Sequence, residues 1–231
     1  MKFSLITPSR SRPNEYKQLI ESVLSTTENI NNVEMLVIID KDDSNLKEYQ
    51  DMIKLVKDIS CKLYAVDRKN HISKYYNELA FKSKGKYIWA INDDCLIKTP
   101  SWDILAWMKL ESEYIASNGI LYGETNDSTR NYNGNGFFSC FPILSRKAID
   151  RMGYFFNDKY ITWGGDKFLK YLYSDAGAGI VDLLNVFVDH KHIMDDDTYK
   201  ELIGKLGDNA NIQPQFNYDD EVNKLREAIC C

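Results

Sequence analysis

Short apolar runs alternate with amphipathic segments through the first half of the chain. Strand-like runs occupy Lys2 to Thr7, Val33 to Ile39, Lys62 to Val66 and Tyr87 to Ile91. Between them, Leu19, Ile20, Val23 and Leu24, then Met52, Ile53, Leu55 and Val56, then Tyr75, Leu79 and Ala80 recur at helical spacing. Gly85 reads as the stop of the third helix. Strand and helix repeated in this way imply right-handed crossovers, and so an α/β fold with a central, mostly parallel sheet flanked by helices.

Beyond Pro100 the rhythm changes. The pattern predicts a helix over Ser101 to Ala116, a strand over Ile120 to Gly123, and a polar, Asn- and Gly-rich loop over Glu124 to Gly136. Phe137 to Leu144 is apolar, and Ser145 to Met152 forms a helical turn or two before Gly153. Trp163-Gly164-Gly165-Asp166 opens a further helix, and Ile180 to Val188 reads as a buried strand. Short helices are expected near Tyr199 to Leu206 and Asp220 to Ile229. With no linker or repeat, the reading is one domain over 1–231: a half at 1–100, a second half at 101–193 and a helical tail at 194–231.

The four early strands end in polar clusters: Pro8 to Pro13, Asp40 to Asn45, Asp67 to His71, and Asn92-Asp93-Asp94. In an open parallel sheet these carboxyl ends share one edge, where ligands bind. Topology alone therefore assembles a site of arginines and aspartates.

Composition narrows the class. The chain has 231 residues, 44% hydrophobic and 27% charged, which is ordinary for a folded globular protein. Its 29 basic and 34 acidic residues give a net charge of −5, which argues against a nucleic-acid binder relying on bulk charge. No apolar stretch approaches the ~20 residues of a membrane helix, and Pro8 with two arginines interrupts the N-terminus before a signal-peptide core can form. Five cysteines without zinc spacing read as reduced thiols, so a cytoplasmic protein is expected.

Three features carry chemistry. Adjacent carboxylates at Asp93 and Asp94 suit a hard divalent cation, although such residues also make solvated turns. Two of only three histidines, His190 and His192, lie one residue apart at a strand end; they are either metal ligands or surface residues near a turn. Asp166 is either a carboxylate stabilised by a helix N-terminus or a base for a hydroxyl nucleophile. Arg10, Arg12, Arg68 and Lys74 are candidates to neutralise phosphates. Asp40 to Asp51 lacks the glycine and terminal glutamate of a calcium loop.

From about Phe3 to His192 the order of these features resembles the GT-A fold, nucleotide-sugar-dependent glycosyltransferases, in particular the family-2-like group. The resemblance rests on Thr7-Pro8-Ser9-Arg10, on Ile39-Asp40, and on Asn77, Ala80, Gly85, Tyr87 and Ile88 followed by Asn92-Asp93-Asp94. Asn92 stands in place of the first acid of the usual triplet. The resemblance implies a GT-A (Rossmann-like) fold in which Pro8, Ser9, Arg10, Arg12 and Asp40 hold the nucleotide, with Arg68 or Lys74 nearby. It implies that Asp93 binds sugar or ribose, and that Asp94 with His190 or His192 holds Mn2+ or Mg2+, His190 being favoured. Trp163, Gly164 and Gly165 would face the acceptor. Gly165 stands where the family commonly has an acid, which leaves Asp166 as the catalytic base.

The expected reaction is transfer of a sugar, with inversion, from a UDP-sugar or GDP-sugar to a glycan or other hydroxyl acceptor. A metal-dependent nucleotidyltransferase or phosphoesterase is the alternative enzyme, although Pro8 to Pro13 lacks the glycine-rich loop of the sugar nucleotidyltransferases. A catalytically inactive GT-A-like binding module is the non-enzymatic alternative.

Overall fold

A computed structural model describes residues 1–128, 139–161, 164–191 and 216–230. Eight strands form one sheet: β1 (Phe3–Pro8), β2 (Val33–Asp40), β3 (Ser60–Val66), β4 (Tyr87–Ala90), β5 (Cys95–Ile97), β6 (Leu121–Asp127), β7 (Ile143–Ser145) and β8 (Gly179–His190). Their spatial order is β3-β2-β1-β4-β7-β6-β8-β5. The helices are α1 (Pro13–Thr26), α2 (Leu46–Leu55), α3 (Ile72–Lys82), α4 (Trp102–Ala116), α5 (Arg146–Met152), α6 (Gly165–Ala176) and α7 (Tyr218–Cys230).

The strands β3, β2, β1 and β4 are parallel neighbours, so the polar segments after them do meet along one edge. The second half departs from that simplicity. β7 runs antiparallel between β4 and β6, β8 is parallel to β6, and the short β5 pairs antiparallel with the end of β8. The sequence reading missed β5 because three residues are too few to show a period.

Alternation along the central strands builds two apolar layers. Phe3, Leu5, Met35, Val37, Tyr87 and Trp89 face one side, against Tyr16, Leu19, Val23 and Trp102 of α1 and α4. Ile6, Leu36, Ile38, Ile88 and Ala90 face the other, with Leu79, Ile149, Leu172 and Leu225 from α3, α5, α6 and α7. Both faces are covered, which is why the strands read as nearly continuous apolar runs.

Several expectations are corrected. Gly85 does not stop α3, which ends at Lys82 with Ser83 as its cap. The glycine is required instead by a close approach, since a Cβ there would lie 2.5 Å from Ser4 Oγ and 2.6 Å from Ser4 N. The end of α3 is closed by Arg146, whose guanidinium donates to the carbonyls of Ala80 (2.7 Å) and Ser83 (3.0 Å). Leu55, expected on the buried face of α2, is exposed because the helix is anchored by Tyr49. Glu124 to Asp127 are strand, not loop, and Glu124 is fully buried in contact with Lys170 (2.8 Å) and the Tyr122 hydroxyl (2.8 Å). Residues 129–136 of that expected loop, and the helix expected near Tyr199 to Leu206, lie outside the described residues. The strand expected to be buried at Ile180 to Val188 is only half so, because a register shift opposite Thr125 and Asn126 turns Leu184 and Phe187 outward.

Candidate active site

The segment after β1 crosses the sheet edge and meets the segments after β2 and β4. Ser9 is buried there, and its hydroxyl donates to Asp93 Oδ2 (2.6 Å). The Tyr49 hydroxyl lies 2.6 Å from Ser9 Oγ and accepts from the Arg12 backbone N–H at 2.9 Å. Because Ser9 spends its proton on Asp93, Tyr49 donates to Ser9, and the relay runs from Arg12 through Tyr49 and Ser9 to the carboxylate. Arg12 closes the ring from its other end, with Nη1 3.2 Å from Asp93 Oδ1 and 3.5 Å from Asp94 Oδ2.

Asp93 and Asp94 are both buried. Burial pushes the Asp93 carboxyl up to about 6 against the pull of Arg12, and Asp94 adds to the rise. Asn92 does not join the acids; its Oδ1 accepts from the Tyr76 hydroxyl (2.7 Å).

The pairing of β5 with β8 sets Cys95 directly opposite His190. His190 Nε2 stands 3.2 Å from Asp94 Oδ1, and Cys95 Sγ stands 3.9 Å from the same oxygen. Ligand atoms of Asp94, Cys95 and His190 all lie within 4.8 Å of one another, so a single ion could touch all three. The His190 ring packs edge-on against Phe141 at 4.9 Å. A cleft lined by Glu15, Gln18, Asp93, Asp94, Leu96 and Lys191 opens onto the acidic pair. His192 lies outside the described residues.

A second cluster forms at the end of β2. Asp40 is buried and accepts from Arg10 Nη1 (2.8 Å) and from the Tyr75 hydroxyl. Arg10 also reaches Asp42 (2.7 Å), and Arg68 lies 4.0 Å from Asp42. Burial, with the bond to Asp40, raises the Tyr75 phenol to about 12. Lys74 is not drawn in: it is exposed on the first turn of α3 and makes no ion pair among the described residues.

Asp166 sits at the start of α6, half-buried, with Oδ1 accepting from the Lys167 N–H at 2.8 Å. Burial raises its carboxyl above the ordinary aspartate value, opposed by the Lys167 N–H and the Cys140 thiol and reinforced by Asp127. Burial raises the proton affinity of the Tyr76 hydroxyl, and the neighbouring Cys95, Asp93, Asp94 and Asp166 groups raise it further. Gly164 precedes the helix in the left-handed region (φ 88), and a Cβ on Gly165 would come within 3.0 Å of the Phe156 ring. A side chain at 165 would have to displace the Phe156 ring by a few tenths of an ångström. Trp163 lies outside the described residues.

Sequence reasoning missed Tyr49, Tyr75, Cys95 and Asp127. Tyr75 reads as helix packing, Cys95 as one of five thiols without zinc spacing, and Tyr49 carries no sequence signal. Asp127, in the stretch read as loop, is buried at the end of β6 and accepts from Ser139 Oγ at 2.5 Å. Asn77 carried a sequence signal without a role, which the structure supplies. Its Oδ1 accepts from the N–H groups of Phe155 and Phe156, both at 2.8 Å, and its Nδ2 donates to the Phe156 carbonyl at 2.8 Å. The segment leading to Asp166 is thereby fastened to α3.

Comparison with known proteins identifies the family and the fold. The family model for glycosyl transferase family 2 matches residues 4–155, well over half of the chain. The fold is that of the GT-A glycosyltransferases, and the chain belongs to glycosyl transferase family 2. Among solved structures it is similar to S. aureus TarS, with 13% identity, a TM-score of 0.63, and coverage of 99% of this chain and 43% of that one. It is also similar to the mannosyltransferase PcManGT from Pyrobaculum calidifontis in complex with GDP-Man and Mn2+ (8% identity, TM-score 0.65, 98% and 69% coverage). A third is GalNAc-T7 with UDP, GalNAc and Mn2+ (11% identity, TM-score 0.66, 100% and 55% coverage). The chain thus spans less than half of TarS. Comparison with curated protein sequences gives no significant match. No described helix is long and apolar enough to cross a membrane.

Proposed function

We propose that this chain transfers a sugar from a nucleoside diphosphate donor to an acceptor hydroxyl, with inversion at the anomeric carbon. The observation that carries the reading is the buried acidic pair after β4, with Arg12 Nη1 3.2 Å from Asp93 and His190 Nε2 3.2 Å from Asp94, where the polar segments that follow β1 and β2 also meet. Structures of similar fold hold UDP-GlcNAc, GDP-Man, and UDP with Mn2+, which supports a nucleotide-sugar donor.

In this reading Pro8 to Arg12, Asp40 and Arg68 receive the nucleotide. Arg10 is kept in place by Asp40 and Asp42, so its guanidinium is ordered before a ligand arrives. Asp93 orients the sugar or ribose, and Gly164 and Gly165 at the start of α6 stand on the acceptor side. The donor set of Asp94 and His190 fits a divalent cation such as Mn2+ or Mg2+, which when bound neutralises charge on the leaving diphosphate. Asp166 accepts the proton of the acceptor hydroxyl, and burial raises its affinity for protons above that of an exposed carboxylate, which makes it a stronger base. Attack from the side opposite the leaving group inverts the centre.

The test is incubation with UDP- and GDP-sugars and Mn2+ against hydroxyl acceptors, with NMR of the product. An inverted anomeric bond is expected, and a retained one overturns the assignment of Asp166. The nucleotidyltransferase reading is disfavoured by the buried Ser9 and the charged, glycine-free segment that follows β1, where sugar nucleotidyltransferases carry a glycine-rich loop.

A further inference from the structure

The polar groups at the ends of β2 and β3 form a cluster of balanced charge. Arg10 and Arg68 face Asp40 and Asp42, and Arg10 Nη1 is shared between the two carboxylates at 2.8 and 2.7 Å. Cations already matched by carboxylates offer a phosphate little net attraction, but they remain good partners for a neutral group rich in donors and acceptors. The strand order places two inter-strand steps, roughly 10 Å, between the end of β2 and the acidic pair after β4. A donor whose diphosphate lies at Asp94 therefore brings its nucleoside to Asp40.

One side chain organises that end. Tyr75, half-buried on α3, donates its hydroxyl proton to Asp40 Oδ1 and accepts from the Lys69 backbone N–H at 2.7 Å. Lys69 follows Arg68 in the segment between β3 and α3, where Asn70 adopts the left-handed region (φ 49) and the Lys69 ammonium pairs with Glu78. The hydroxyl thus joins the end of β2 to the segment after β3. Among the described residues Oδ1 of Asp40 accepts from Tyr75 and Oδ2 from Arg10, which leaves a lone pair on each oxygen for an N–H or O–H of base or ribose. The arrangement repeats that of Tyr49, which accepts from the Arg12 N–H and donates through Ser9 toward Asp93.

We infer that Tyr75 is a positioning residue for the nucleoside of the donor: its hydroxyl holds Asp40 and the segment carrying Arg68 as one preorganised face, and it acts through Asp40 without touching the diphosphate. This rests on the nucleotide-sugar reading above and names the residue that sets its nucleoside end. Without the hydroxyl, Asp40 and the β3–α3 segment must be ordered when the ligand arrives, so the loss falls on affinity for the nucleoside.

Calorimetry of the whole chain with UDP and with GDP, each with Mn2+, tests the inference, and inorganic pyrophosphate with Mn2+ serves as the diphosphate without a nucleoside. For the nucleotide that the unaltered chain binds, Tyr75→Phe should raise the dissociation constant ~5–10-fold, the loss of one hydrogen bond, while that of pyrophosphate changes little. In an Asp40→Ala background the same substitution should have almost no further effect, since a residue that acts through Asp40 is not additive with it. The unaltered chain supplies a check independent of any variant's folding: the amide of Lys69, an exposed residue, is bonded to Tyr75 and should exchange its hydrogen slowly. An unchanged nucleotide constant, equal weakening of nucleotide and pyrophosphate, additive effects in the double variant or a fast-exchanging Lys69 amide each overturn the role of Tyr75. Failure of the unaltered chain to bind either UDP or GDP overturns the nucleotide-sugar reading instead.

Discussion

The guanidinium of Arg12 stands 3.2 Å from the carboxylate of Asp93, and its backbone N–H, through Tyr49 and Ser9, reaches the same carboxylate from the other side. Two adjacent buried acids repel each other and lack water, so one cation shared between them offsets a large part of the cost. Arg12 is the cation that the fold itself supplies at this point.

Removing that cation should expose the cost. Arg12→Ala is expected to lower the melting temperature of the metal-free chain, and added Mn2+ should restore more of it than in the unaltered chain, because the ion replaces the missing charge. Differential scanning fluorimetry with and without chelator reads both effects. Equal stabilisation by Mn2+ in the two proteins would separate Arg12 from the acidic pair.

Asp166→Asn keeps the shape at the start of α6 and removes the proton acceptor. Turnover should fall by ~10²–10⁴-fold while the dissociation constant for nucleotide changes little. Near-normal turnover would assign the base elsewhere.

The pH profile should carry the same signature. A base must be ionised, so at fixed saturating metal kcat/KM should rise with pH through a carboxyl whose proton affinity burial, with a smaller contribution from Asp127, lifts above its ordinary value. Asp127→Asn removes a repelling neighbour, lowers that proton affinity and moves the acidic limb to lower pH. An unmoved limb would mean that Asp127 does not act on the base.

Asn77 makes three hydrogen bonds to the main chain of Phe155 and Phe156. Asn77→Ala leaves those groups without their partner and should cost about 2–3 kcal/mol in urea unfolding. Asn77→Asp should cost less, since a carboxylate still accepts from both N–H groups and fails only toward the Phe156 carbonyl.

Gly85→Ala places a methyl group against the β1 main chain at Ser4. Backbone cannot yield as a side-chain tip can, so a loss of about 1–3 kcal/mol is expected. A helix-stop role would predict a far smaller change, because α3 already ends at Ser83.

Much of the first half was legible in the sequence because its information is local. Period-two runs and helical spacing recur within windows of a dozen residues, and parallel β-α order leaves few topologies. The meeting of Arg12, Asp40 and Asp93 at one edge followed from that order. The opposite holds for Cys95, Asp127 and Tyr75, whose neighbours in sequence explain nothing about what they touch. Cys95 faces His190 only because β8, bent by its register shift, reaches past β6 to pair with a three-residue strand. Gly85 and Asn77 were visible as residues but not as contacts, since each answers to main chain that lies far away in sequence. The sequence by itself determined an α/β sheet with a charged edge. Which side chains share a distance of three or four ångströms was decided by strand order and helix docking, because burial forces each polar group to find its partner wherever the packed chain happens to bring one.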